Sequence, residues 1–489
     1  MNERLVLLAL MLATTPACSL LANPSDHTGH THDAGPHDAG RDGGSIDSAV
    51  DAFAGPADSG LDAYAPPECT TATDCGSAGA AGLVQCVASR CVFCATPSEA
   101  APHELRHASA LRPYVSIGIR RRPTGPALVV VGTMGSTSAE PALGHRAAID
   151  APSGAVDSPL GAAIDTSCPE TFDSVSSIAF LPDDSSASST TTSIAVIAEG
   201  PLGGMITHLT WADTTGAITP VGFTCRALDA PADFLPGAVM LAAPSSDGSL
   251  LPIYQITREA VDATSFRFVA YNFPYANQAR TYTAFGGPTG PYAAMTAAGP
   301  FMLIGGISTD SVLWWDPETT SGGLSPVMTP GRTGDPSAVL EGTATMAGEL
   351  LHFVMAYPVA DLVRFVNVDC DSACIPVGEA VDVHTGAMAV TAARFGLVGD
   401  VPVLLTSEHL ADGTERVVLR VLRANRTPYD APGGGRALVL DAAAVGTVVS
   451  DVQLAVVTGT TARYAAVWMV TDASGTSSVR LQTFQGSCP

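Results

Sequence analysis

From about Pro113 to its C-terminus the chain repeats itself, and this repetition limits its fold more than any other feature. Short runs rich in Val, Ile, Leu, Tyr, Phe and Thr alternate with clusters of Gly, Pro, Asp and Ser, the pattern of strands and turns. The runs group into units. Each unit opens on a strand of small and apolar residues: VSIGIR, SSIAFL, GAVMLA, YAAMTA, SAVLEG, GAMAVT and DVQLAVV. A more strongly apolar strand follows: ALVVVGT, SIAVIAE, LPIYQIT, FMLIGGI, LHFVMAY, VPVLLTS and YAAVWMV. A third strand carries most of the aromatic and arginine residues, as in ITHLTW, FRFVAYN, VLWWD, LVRFVNV, RVVLRVL and VRLQTF, and a looser fourth follows in most units. The first strands start near residues 114, 177, 237, 292, 337, 386 and 451, a mean spacing of about 56.

A repeat of that length with four short strands per unit is the signature of a β-propeller. The expected fold is therefore all-β, a seven-bladed β-propeller of four-stranded blades. First strands rich in Ala, Gly and Ser suit the crowding near a central axis. A large β-sandwich is the alternative, and the near-regular units favour the ring. The stretches DTTGA, SSDGS, ADGTE and DASGT supply hairpin turns. In TERVVLRVLRANR, residues Arg416, Arg420, Arg423 and Arg426 have helix-like spacing, but the β-branched content favours a strand.

The last unit ends at Cys488 with no obvious fourth strand, and propellers are commonly closed by joining the two chain ends. Cys94, the odd cysteine of a compact run from Cys69 to Cys94, is expected to pair with Cys488. A disulfide over so long a loop restricts the unfolded chain strongly. The other expected pairs are Cys69–Cys86, Cys75–Cys91, Cys168–Cys225 and Cys370–Cys374. Cys91-x2-Cys94 has the spacing of a redox or zinc pair, but it lacks a matching second pair.

The N-terminus reads as an export signal: Arg4, an apolar run from Leu5 to Ala13, then small residues up to Cys18. Thr15-Pro16-Ala17-Cys18 resembles a bacterial lipobox, in which Cys18 becomes the lipidated first residue. Thr15 and Pro16 depart from the usual form, so ordinary cleavage after Ala17 stays open. With Ser19 rather than Asp after the cysteine, the resemblance to Gram-negative lipoproteins implies the outer membrane. Later runs fall short of the ~18 apolar residues of a membrane helix, so contact with the bilayer is expected through the anchor alone. Residues 18–67 are Asp, Ala, Gly, Pro, Ser and His with few large apolar groups, a composition that cannot offset chain entropy by burial. They resemble the Asp-Ala-Gly tethers of surface lipoproteins. The expected organisation is a signal at 1–17, a tether at 18–67, a disulfide module at 68–105 and the propeller at 106–489.

Composition excludes some partners. The net charge is −24, and all 23 basic residues are arginine. The tether region 19–68 holds −8 and residues 69–489 the remaining −16, so a phosphate backbone is repelled and nucleic-acid binding is disfavoured. The basic island Arg120–Arg122, with Arg106 and Arg112 near it, reads as a solvated hairpin turn or as a contact for anionic headgroups. Within the tether, His27, His30, His32 and His37 fall within eleven residues. They offer weak, opportunistic capture of a transition metal, without the folded frame that fixes a metal site.

No nucleophile elbow, P-loop, HExxH or EF-hand loop is present. The Asp-Gly turns resemble sialidase Asp-boxes only loosely, since the following aromatic is missing. Trp211, Trp314, Trp315 and Trp468 lie on apolar strands, where packing between blades competes with sugar stacking. The segments leading into the first strands carry His107, Asp173, Asp233, Asp335, His384 and Asp451. Around one channel mouth these would offer carboxylates and imidazoles for Ca²⁺ or a transition metal, against the common use of Asp to cap turns. The chain thus reads as a monomeric, lipid-anchored binding or display module for an extracellular glycan or protein. The alternative is a metal-dependent hydrolase or glycosidase with its site at the channel mouth.

Overall fold

Each repeat unit forms one sheet, antiparallel throughout except where Asp183–Asp184 pairs parallel with Leu111–Arg120. The computed structural model describes residues 67–485 apart from 110, 123, 136–139, 169–173, 181–182, 185–189, 201–202, 221–224, 228–233, 242–250, 260–264, 274–276, 284–294, 299–300, 309–310, 316–323, 341–350, 371–373, 433 and 458–462; from 226 to 326 the strands are described by their backbone alone. Cys18, the tether with its four histidines, Asp173, Asp233 and Cys488 lie outside the described residues.

Among the described residues, seven sheets of four or five strands follow one another along the chain. Their first strands are Leu111–Arg120, Ser174–Phe180, Phe234–Leu241, Met295–Ala298, Ser337–Leu340, Ala389–Val398 and Val448–Val457, here numbered as sheets 1 to 7. Each start lies within three residues of the one expected from sequence. In every sheet the second strand pairs the first and the third pairs the second in antiparallel register. The first strand of each sheet touches the first strand of the next, and that of sheet 7 touches that of sheet 1, which completes a circuit.

The order of strands explains their composition. Second strands are covered on both faces by neighbouring sheets, so they read as unbroken apolar runs. Leu128–Gly135 is buried at every position and Val401–His409 at all but its last. Outer strands are wet: residues 375–382 of the fourth strand of sheet 5, Cys374–His384, are all exposed. The cores lie between adjacent sheets. Ile119, Val129 and Val131 of sheet 1 pack with Ala465, Val467 and Leu481 of sheet 7, and Phe365 of sheet 5 packs edge-on to Phe395 of sheet 6. Each fully buried side chain of this size stabilises the fold by about 1.5–3 kcal/mol relative to exposure. The joints are close: a Cβ at Gly396 would lie 2.0 Å from Val456 Cγ2, so only glycine fits between the first strands of sheets 6 and 7. Trp211 and Trp468 are fully buried, as packing residues, while the side chains of Trp314 and Trp315 lie outside the described set.

Sheet 7 lacks a fourth strand of its own, as the sequence implied. It is supplied from the other end: His103–Ala108 pairs antiparallel with Ser477–Gln485, with His107 opposite Ser478. Thr96–Pro97 pairs further along the same strand. The boundary expected between residues 105 and 106 therefore falls inside a strand, and Pro66–Pro489 is one compact unit.

The cysteine-rich segment is not a separate knot. It holds a hairpin, Val84–Val87 with Arg90–Phe93, stapled by Cys69–Cys86 and Cys75–Cys91. Its Leu83 and Phe93 share one core with Leu405 of sheet 6 and Trp468 and Phe484 of sheet 7. The Tyr429 hydroxyl donates to the Cys75 carbonyl at 3.0 Å, the Phe93 amide donates to the Asp430 carbonyl at 2.8 Å, and Arg423 pairs with Glu68. The Cys168–Cys225 bridge is also present. Cys94 and Cys374 are disulfide-bonded, and the backbone register sets Cys370 opposite Cys374.

The arginine island divides. Arg120 is completely buried at the end of its strand, 3.5 Å from Asp213 of sheet 2, while Arg121 and Arg122 are half-buried. A solvated turn is thus the wrong description for Arg120, because the strand runs on to it and carries it into the joint between two sheets. Residues 415–421 form a strand rather than a helix.

Candidate functional site

Of the channel-mouth residues expected from sequence, Asp335 precedes the first strand of sheet 5 and Asp451 lies on the first strand of sheet 7, while His107 and His384 lie on outer strands. His107 sits on the closing strand, with its side chain 62% exposed. His384 ends the outermost strand of sheet 5, with its side chain 72% exposed and 3.9 Å from Asp361. Both errors have one cause. Both residues lie on outer strands and not in the segments that lead into the first strands, and HELRHA carries too few apolar residues to mark a strand.

Asp335 lies two residues before the first strand of sheet 5. The joint there is fixed by Ser337, whose Oγ accepts from the Phe395 amide of sheet 6 at 3.4 Å. The same joint recurs where Ser116 of sheet 1 accepts from the Phe180 amide of sheet 2 at 3.3 Å. Asp451 sits in a bulge of the first strand of sheet 7, where register shifts between Ser450 and Gln453. Its φ of 50° lies in the left-handed region, which Asp tolerates better than most residues.

Arg394 lies on the first strand of sheet 6. Its neighbours Ala393 and Phe395 turn into the core shared with sheet 5, so Arg394 and Gly396 turn the other way. Arg394 Nη1 donates to the Ala393 carbonyl at 2.9 Å and to the Asp335 carbonyl at 3.5 Å. Desolvation pulls the guanidinium pKa below its usual value, against the support of both Asp335 and Asp451. Burial raises the Asp451 carboxyl, opposed by a Ser450 hydrogen bond and Arg394 and reinforced by Asp335. Asp451 Oδ2 is buried and accepts no hydrogen bond.

Among the described residues, the expected carboxylates and imidazoles do not gather as ligands for a cation. Nor do the cysteines suit one: the Cys69, Cys75 and Cys91 sulfurs lie within 4.8 Å of one another but are held in disulfides, as is Cys94. The Asp-Gly turns are ordinary. Asp412 and Asp472 accept from Thr414, Ser474 and Thr476 in their own loops, which holds both carboxyls low.

Two further polar clusters escaped the sequence reading. At the joint of sheet 7 with sheet 1, Arg106 donates to Thr133 Oγ1 and to Glu140 Oε2, both at 3.0 Å. Thr133 donates to His145 Nε2 at 3.0 Å, and His145 Nδ1 donates to Asp157 Oδ1 at 2.6 Å; the carboxylate at Nδ1 sets this tautomer. A hydroxyl, an imidazole and a carboxylate stand here in the order of a nucleophile relay. Thr133 is only 1% exposed and its oxygen already accepts from Arg106, so the relay locks the closing strand rather than meeting a substrate. Burial, with Arg106 and His103, lowers the His145 pKa against the pull of Asp157. At the joint of sheets 5 and 6, fully buried Glu408 accepts from Arg420 at 2.5 Å, from Arg416 at 2.9 Å and from Thr406 at 2.7 Å.

No protein-family model matches the chain, and no curated protein matches it. Solved structures do. A six-bladed β-propeller fungal lectin from Aleuria aurantia, described with a fucose recognition mode, is 8% identical, with a TM-score of 0.37 over 69% of this chain and 98% of that one. A neuraminidase-like protein from a flat-faced bat isolate is 10% identical, with a TM-score of 0.37 over 81% of this chain and 95% of that one. The WD40 domain of fission-yeast SCAP is 8% identical, with a TM-score of 0.35 over 73% of this chain and 80% of that one. At such TM-scores none of these bears on what this chain binds.

Proposed function

We propose that the chain is a cell-surface binding module for an extracellular glycan, held to the outer membrane by a lipid on Cys18. A seven-bladed β-propeller, closed by the strand His103–Ala108, presents the ligand site at the end of the tether. The observation that carries the binding reading is the closed circuit of first strands, with Asp451 on one of them and its buried Oδ2 left without a donor. Rigid placement of polar groups on a closed scaffold is what recognition needs, because little ordering remains to be done on binding. The anchor rests on the signal and the lipobox resemblance around Cys18.

Two measurements test this reading. The purified full chain, screened on a glycan array and for turnover of glycan, ester and lactone substrates, is expected to bind without turnover. Turnover that is lost on substitution of Asp451 would replace the reading with an enzymatic one. Lipid labelling and detergent-phase partitioning are expected in the wild type and absent in Cys18→Ser. Quantitative recovery of the wild type in the soluble fraction would remove the anchor.

A further inference from the structure

We infer that the strand His103–Ala108 is an acid-released clasp: protonation of His145 frees it from Ser477–Gln485 and opens the ring between sheets 7 and 1. Such a clasp is independent of the glycan reading and stands on the hydrogen bonds at this joint.

Little else holds the strand. Of its six residues only Arg106 and Ala108 are buried; Leu105 is half-buried against the core between sheets 7 and 1, and Glu104 and His107 are exposed. Among the described residues it pairs with Ser477–Gln485 alone, and the register of that ladder shifts between Val479 and Arg480. Arg106 is its polar tie to sheet 1, with Nη1 donating to Thr133 Oγ1 and Nη2 to Glu140 Oε2.

Thr133 can serve Arg106 in this way only while His145 is neutral. The hydroxyl gives its own proton to His145 Nε2 at 3.0 Å, which leaves its lone pairs to the guanidinium. His145 Nδ1–H is committed to Asp157 Oδ1 at 2.6 Å, so an added proton goes to Nε2. Nε2 then becomes a second donor aimed at Thr133, and the hydroxyl proton loses its acceptor. Imidazolium and guanidinium also face each other across one oxygen, their donor nitrogens no more than about 6 Å apart, a range in which like charges oppose each other. Arg106, Thr133 and His145 are all buried, so solvent screens them little.

The charged groups that face His145 are Asp157 on the fourth strand of sheet 1 and Arg106 and His103 on the closing strand, while Glu140 bonds to Arg106. Burial, with Arg106 and His103, outweighs the pull of Asp157 and holds the imidazole below its ordinary 6.5. Once the strand lets go, the imidazole meets water and loses that opposition, so the released state binds the proton more readily and acid favours release.

The test is hydrogen exchange on the full chain between pH 7 and 5, with rates corrected for the intrinsic pH dependence of amide exchange. Amides paired between His103–Ala108 and Ser477–Gln485 are expected to lose protection by up to about tenfold per pH unit below 6.5, the limit for uptake of one proton, while those of Val401–His409 keep theirs. In His145→Gln, neutral at every pH, the dependence is expected to vanish. Exchange of the imidazole C2 hydrogen, followed by mass spectrometry on the wild type, needs no variant and is expected to place the titration of His145 below 6.5. A closing strand whose protection does not change with pH would overturn the clasp. So would an equal loss in every sheet, which is general acid unfolding, or a wild-type response in folded His145→Gln. Titration of His145 at or above 6.5 would overturn it as well, because acid would then tighten the joint.

Discussion

The seams between sheets and the centre of the ring use the same residue types to opposite ends. At the seams, Arg106, Thr133, His145 and Asp157 pass hydrogen bonds from one to the next, and Glu408 meets two guanidiniums and a hydroxyl. At the centre, Asp451 keeps a buried oxygen with no donor, on a backbone that few residues adopt. The lesson is that burial of polar groups does not by itself mark a functional site. Where their hydrogen-bonding capacity is filled by the protein, such groups specify which sheet meets which. Where it is left over, the protein sustains a local loss that a ligand can recover.

The contrast can be broken at several points. The largest effect is expected at Glu408. Replacing it with Ala leaves Arg420 buried with its charge unmatched, and removal of one partner from a buried pair costs about 3–5 kcal/mol. Denaturant unfolding should show this as a lower midpoint at unchanged slope; a loss below about 1 kcal/mol would mean the seam is wetter than described. Arg106→Ala should cost about 1–3 kcal/mol, because Thr133 and Glu140 each lose a donor. Hydrogen exchange adds a local signature: amides paired between His103–Ala108 and Ser477–Gln485 should exchange faster than those of sheet 6. Uniform acceleration across all sheets would argue against a local lock.

The pH dependence separates the regions further. His145 and His208 are buried as neutral imidazoles, with pKa values held below 6.5, that of His208 at about 4. The unfolded chain therefore takes up more protons than the folded one below pH 6.5. Their stability contribution is present above that pH and is lost as the pH falls towards 4. Asp451 has the opposite sign: its carboxyl is raised above 3.8, so the folded state gains as the pH falls through that group's own range. Melting curves from pH 7 to 4 should decline overall, and more steeply in Asp451→Asn, which removes the opposing term. A flat profile would show that neither histidine is buried as a neutral group.

Much of the ring was legible because its physics is local. Second strands covered on both faces must be apolar throughout, as ALVVVGT and VPVLLTS are, and Gly-, Asp- and Ser-rich turns punctuate them at regular intervals. Cys69–Cys86, Cys75–Cys91 and Cys168–Cys225 joined as expected. The closing strand HELRHA was not legible, since its pattern serves an edge that is wet on one side and its partner lies over 370 residues away. Arg394 was passed over because a single Arg in TAARFG reads like any solvated strand residue. Only the fold sets it within reach of the Asp335 carbonyl. The relay through Thr133, His145 and Asp157 likewise exists only once three strands and the closing strand lie side by side.

The most direct test is a crystal structure of the full chain with its best array glycan. The account predicts an ordered glycan on the ring, with Thr133, His145 and Glu408 bonded as in the free protein. No ordered glycan, or one whose binding breaks the Thr133–His145 or Glu408–Arg420 bond, would contradict it.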